Sequence, residues 1–137
     1  MTRTADGFTR LEANKRLVAR AMELLVDRQR AAQAMDLLTP EYIQHNPNIP
    51  SGRDAIMKFT QSAMAEEARK VMKTAGEPTF IAEGDLVVMM QPIERPDPAH
   101  PGKTYTSYWF DMWRIDDGRL AEHWDGAPKE ANADPFA

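Results

Sequence analysis

A chain of 137 residues is long enough for one hydrophobic core and short of what two ordinary domains need. With 42% hydrophobic and 28% charged residues and a formal net charge of −4, it is composed like a soluble folded protein and carries no basic footprint for nucleic acid. It has no cysteine, which excludes disulfides, thiolate catalysis and cysteine-held metals, and no apolar run approaches the roughly 20 residues that cross a bilayer.

Met1 to Gly7 lack an apolar signal core, so a cytoplasmic location is expected. Thr9 followed by Glu12 is a capping-box signature and predicts that the first helix starts there. Leu17, Ala21, Leu24 and Leu25 then recur at helical spacing, with Arg16, Arg20, Glu23 and Asp27 on the polar side. A second short helix fits residues 31–38, with Ala34, Leu37 and Leu38 inward. It ends at Thr39-Pro40, because proline disfavours helical geometry in the residue before it. Residues 42–45 read as a short extended segment closed by the turn formers Asn46-Pro47-Asn48-Ile49-Pro50. Ser51 with Asp54 repeats the capping logic for a third helix, whose apolar face is Ile56, Phe59, Ala63 and Met64.

From Pro78 onward the period becomes extended. Residues 79–83 and 86–93 flank the hairpin signal Glu83-Gly84-Asp85, and the four prolines and one glycine of residues 92–103 read as an exposed loop. Residues 104–115 and 119–125 form a last hairpin around Asp116-Asp117-Gly118, and the tail after Pro128 reads as loosely held. Helices first and a meander of antiparallel strands afterwards predict an α+β fold. Three N-terminal helices pack on the concave side of a curved sheet, leaving a cone with a pocket. The whole chain, 1–137, is expected to be one domain with its core over about 9–127.

Three segments carry a family likeness. They are Tyr42-Ile43-Gln44-His45-Asn46-Pro47 leading to Ser51-Gly52-Arg53-Asp54-Ala55-Ile56, then Phe110-Asp111-Met112-Trp113-Arg114, then residues 117–125, Asp-Gly-Arg-Leu-Ala-Glu-His-Trp-Asp. In this order and spacing they resemble SnoaL-like polyketide cyclases of the nuclear transport factor 2-like superfamily, over about residues 11–127. The resemblance implies a cone-shaped barrel with an apolar pocket, a homodimer through the sheet, and isomerising, cyclising or hydrating enzymes without metal or organic cofactor. The Asp-x-Trp-Arg piece is also similar to ketosteroid isomerases, which implies that Asp111 points into the pocket and assists at an enolate oxygen. Where those enzymes place a proton-abstracting carboxylate, this chain has His45 and Asn46, which argues against a steroid-isomerase reaction.

The chemistry depends on the last turn. If Asp116-Asp117-Gly118 is a three-residue turn, Asp111 pairs with His123, Trp109 with Asp125, and Phe110 with Trp124 on the other face. A two-residue Asp117-Gly118 turn slips the register by one and exchanges the faces. The first register groups polar with polar, so one face is expected to show Trp109, Asp111, Trp113, His123 and Asp125.

A carboxylate desolvated by tryptophans becomes a stronger base, and a protonated histidine beside it has the opposite effect. Such competition can hold a group near neutrality, where acid/base catalysis works best. His45, Asp111 and His123 are therefore the expected catalytic groups, with Tyr42, Trp109, Trp113 and Asp125 binding substrate. The blander readings make His45 a loop hydrogen-bonder and Asp111 with His123 a buried structural pair; His100 is expected in solvent.

No metal is expected. No His-x-x-x-His spacing exists, although His45, His123 and Asp111 can converge as a two-histidine, one-carboxylate set. No phosphate-cradling glycine loop and no Gly-x-Ser-x-Gly turn occur. The leading expectation is a cofactor-independent isomerase, cyclase or lyase acting on a small carbonyl-bearing molecule. The alternatives are a non-catalytic ligand-binding or dimerisation module, and hydration through a water held by Asp111 and His123.

Overall fold

A computed structural model describes residues 2–131, with side chains from residue 9 onward. Helix α1 (Thr2–Leu25) opens the chain, followed by a 3-10 helix (Ala31–Leu37), strand β1 (Leu38–Gln44), helices α2 (Arg53–Thr60) and α3 (Ala63–Val71), and strands β2 (Lys73–Thr74), β3 (Thr79–Glu83), β4 (Leu86–Pro96), β5 (Thr104–Asp116) and β6 (Arg119–Asp125). The fold is α+β, as the order of patterns predicts. Its curved, unclosed six-stranded sheet runs β1-β6-β5-β4-β2, with β3 also on β4. All pairings are antiparallel except β1 with β6, which run parallel. None of the described helices is long and apolar enough to cross a membrane.

Several boundaries differ from the pattern reading, each for a local reason. Helix α1 already runs through Thr9, so Thr9 and Glu12 lie inside it and cap nothing. The chain turns extended at Leu38, so Thr39 and Pro40 belong to β1. Ser51 does not cap α2; its Oγ instead accepts the Gln44 N–H at 2.9 Å and pins the loop to β1, while Gly52 supplies the φ of 105° that turns the chain into the helix. The third predicted helix is two helices. Thr60 Oγ1 and Ser62 Oγ donate back to the carbonyls of Met57 and Phe59, closing α2, and Ser62 then caps α3 by accepting the Ala65 N–H.

Strand β4 continues through Pro92 to Pro96, beyond the expected loop start. Near Pro92 its neighbour on one side is only the two-residue β2, so the missing N–H costs little there. The tail is also held further than expected: Asn48 donates to the Pro128 carbonyl at 3.1 Å and accepts the Glu130 N–H at 2.9 Å.

The core lies between the helices and one face of the sheet. Val18 and Ala21 of α1 and Ile56 of α2 meet Leu38, Tyr42, Val87, Met89, Trp113, Ile115 and Leu120. On β4, Val87, Met89 and Ile93 are buried while their neighbours are less so, the two-residue alternation of a half-covered strand.

Candidate functional site

The last hairpin positions the site. Asp117 and Gly118 have φ of 49° and 74°, a two-residue turn of the type favoured for Asp-Gly, and Asp116 pairs with Arg119. The expected three-residue turn is therefore corrected. A two-residue turn alone would exchange the faces, but the register shifts between Arg114 and Ile115: Ile115 pairs with Leu120 and Arg114 with Glu122. Ala121 is the extra residue of a β-bulge, and it restores the side-chain alternation of β6. Asp111 consequently pairs with Asp125 and Trp113 with His123, while Met112, and not Phe110, lies opposite Trp124.

On the inward face His123 Nε2 lies diagonally 2.9 Å from Asp111 Oδ1, and both residues are only 7% exposed. Trp109 Nε1 donates to the same oxygen at 3.2 Å. The other imidazole nitrogen, Nδ1, is 2.7 Å from Gln44 Oε1, and Gln44 Oε1 also accepts the Asn46 N–H at 2.9 Å. Asp125 is held by Asn46 Nδ2 at 2.9 Å and by the Ala127 N–H. Among the described residues no fully buried side-chain N or O atom lacks a partner. Asp111 Oδ2 bonds none of the described residues.

Tyr42 and Trp113 form the floor. Trp113, 1% exposed, donates its Nε1–H to the Tyr42 hydroxyl at 3.1 Å and packs against His123 with ring centroids 5.0 Å apart. Burial drives the Tyr42 phenol well above the ordinary tyrosine range. The Trp113 N–H partly offsets this, and Asp111 and Asp125 add to it.

His45 stands on the other side of the sheet. The strand alternation that turns Gln44 inward turns His45 outward, where its ring stacks on Trp124 at 5.0 Å and 7° and its Nε2 meets Glu122 Oε2 at 2.6 Å. Its side chain is 42% exposed. His45 therefore does not share a hollow with Asp111 and His123. Glu122 also accepts Arg114 Nε at 2.9 Å, and first His45, then Arg114, hold its carboxyl below the ordinary glutamate range. His100 pairs with Asp97 on the exposed loop.

Gln44 and Asn46 were absent from the expected site, although alternation from an inward Tyr42 points to Gln44. Asn14 is a further addition: it lies one helical turn before Val18 on the inward face of α1, is 9% exposed, and bonds none of the described residues. Asp111, His123 and Asp125 offer ligand atoms within 4.8 Å of one another, the one cluster among the described residues with metal-ligand character. The expected set with His45 is not assembled.

No curated protein matches the chain. Among solved structures, a candidate SnoaL-like polyketide cyclase from Jannaschia sp. CCS1 is similar at a TM-score of 0.59 and 18% identity, over 82% of this chain and 83% of that one. A protein of unknown function with a cystatin-like fold from Xanthomonas campestris follows at 0.58 and 18%, over 87% and 94%. A nuclear transport factor 2-like protein from Novosphingobium aromaticivorans gives 0.56 and 17%, over 96% and 89%. At these identities the likeness is one of fold. The family model of the SnoaL-like domain matches residues 18–123, most of the chain. The chain belongs to the SnoaL-like domain family.

Proposed function

We propose that the protein is a cofactor-independent enzyme of the isomerase, cyclase or lyase type, with Asp111 as its acid/base group and a small carbonyl-bearing organic molecule as its substrate. The observation that carries this reading is the asymmetry of the Asp111 carboxylate. Oδ1 is held by His123 and Trp109, and Oδ2 bonds none of the described residues. A group anchored through one oxygen and open at the other has the geometry a general base needs. Oδ2 removes a proton from the carbon next to the carbonyl; the C–H electron pair becomes the carbon–carbon double bond of the enolate, and the carbonyl π pair moves to the oxygen. Returning the proton to another carbon isomerises the molecule. Attack of the enolate on a second carbonyl closes a ring, and expulsion of a leaving group makes the reaction a lyase. His123 acts through Asp111, opposing its change of charge, and Trp109 and Asp125 face the substrate beside it. The polyketide-cyclase name of the Jannaschia protein agrees with this substrate class.

The test is turnover of Asp111→Asn and His123→Ala proteins across a panel of ketones, β-diketones and poly-β-carbonyl compounds. Loss in both supports the reading, and wild-type turnover in both overturns it.

The reading includes a homodimer through the outer face of the sheet. Ile81, Tyr108 and Phe110 are exposed there, on the face that also carries Met112 and Trp124, and apolar surface of this kind favours association. The same fold used as a non-catalytic ligand-binding module is the second reading; Asn14, a polar side chain 9% exposed on the inward face of α1, favours a bound ligand in either case.

A further inference from the structure

We infer that Gln44 is a positioning residue that fixes the tautomer of His123, and so makes Asp111 Oδ2 the open end of the proton-handling pair. The inference rests on the proposed acid/base reading and adds to it a residue that acts on the histidine.

A backbone N–H can only donate, so the Gln44 atom 2.9 Å from the Asn46 N–H is the amide oxygen. An amide oxygen can only accept, so His123 Nδ1, 2.7 Å from the same atom, carries a hydrogen. The ring then turns Nε2 to Asp111 Oδ1 at 2.9 Å, and a contact of that length between an imidazole nitrogen and a carboxylate oxygen requires one hydrogen between them. The pair thus holds a single proton, as imidazolium with carboxylate or as imidazole with carboxylic acid. In both forms each nitrogen of His123 is engaged, and neither offers a lone pair to a substrate.

Both partners of this bond are anchored by backbone. Gln44 pairs with His123 across β1 and β6, the His45 N–H donates to the His123 carbonyl at 3.0 Å, and the Gln44 N–H is held by Ser51. The Asn46 N–H in turn fixes the amide flip, so the loop after β1 sets which way the imidazole is protonated. Histidine tautomers are commonly set by the bond made at the far ring nitrogen.

The test reads the ring nitrogens of His123 by long-range proton–nitrogen NMR in the ligand-free protein, with His123 assigned by its loss in His123→Ala. In the wild type, Nδ1 is expected at the protonated position. In Gln44→Met, which removes the acceptor at similar size, the Nδ1 signal is expected to move to the unprotonated or averaged position. In Gln44→Glu, which keeps an acceptor oxygen, it is expected to return. An unprotonated Nδ1 in the wild type, or a Gln44→Met ring with wild-type signals, overturns the inference. The wild-type spectrum decides the tautomer even if Gln44→Met fails to fold. Because the spectra need no substrate, they stand apart from the proposed reaction: a locked tautomer in a protein inactive on every carbonyl compound sinks the enzyme reading and leaves this one in place.

Discussion

His123 Nε2 bonds Asp111 Oδ1 at 2.9 Å, although the strand register sets Asp111 opposite Asp125 and His123 opposite Trp113. The contact is diagonal, and it is made by side chains of which about a tenth is exposed. A buried pair of this kind leaves an uncompensated group when one member is removed. Asp111→Ala is expected to lower unfolding stability by about 3–5 kcal/mol, read as the shift of the urea midpoint. A change within experimental error would show that the pair is not buried as described.

Tyr42→Phe tests the floor. Trp113 Nε1 would lose its acceptor inside the core, at a cost of about 1–3 kcal/mol at neutral pH. The phenol's raised pKa also sets a sign. The folded state keeps it protonated while the unfolded chain ionises at about pH 10, so its contribution is present below that pH and fades as pH rises further. The stability gap between wild type and Tyr42→Phe should therefore narrow above about pH 10 in chemical denaturation series.

Glu122 works in the opposite direction. His45 and Arg114 depress its pKa, so the stability it contributes is fully present above the ordinary glutamate value of about 4.3 and is lost as pH falls through the lowered one. Glu122→Gln should be less stable than wild type at neutral pH, with the difference shrinking in acid. A constant difference from neutral pH into acid would remove the ion-pair account.

Phe110→Glu places a charge on the exposed outer face without touching the core. If this face joins two copies, sedimentation should show the wild type at twice the chain mass and the variant at the single mass. Stability of the fold itself should change by no more than about 0.5 kcal/mol.

The fold was legible because its signals are periodic: helical spacing in α1, alternation in β4 to β6, and Asp-Gly at the last turn. The candidate face was legible, since Trp109, Asp111, Trp113, His123 and Asp125 do share one. Its pairing was not legible, because the bulge at Ala121 has no sequence signature; it combines the two-residue turn with the face that a three-residue turn would have given. His45 was misplaced for a different reason. The resemblance to ketosteroid isomerases put this segment where a proton-abstracting group stands, but a period of two puts Gln44 on the side of Tyr42 and turns His45 away. Hydrogen bonds such as Asn46 to Asp125 or Asn48 to Glu130 join residues far apart in the chain, and no local pattern predicts them.

Hydrogen–deuterium exchange shows whether Asp111 Oδ2 removes a proton next to a carbonyl. Ketones and β-diketones are incubated in heavy water with wild-type or Asp111→Asn protein, and loss of the α-hydrogen signal is followed by proton NMR. The account predicts that the wild type speeds exchange of at least one compound and that Asp111→Asn slows it by about 10²–10⁴-fold, toward the buffer rate. Equal exchange rates for the two proteins across the whole panel would contradict it.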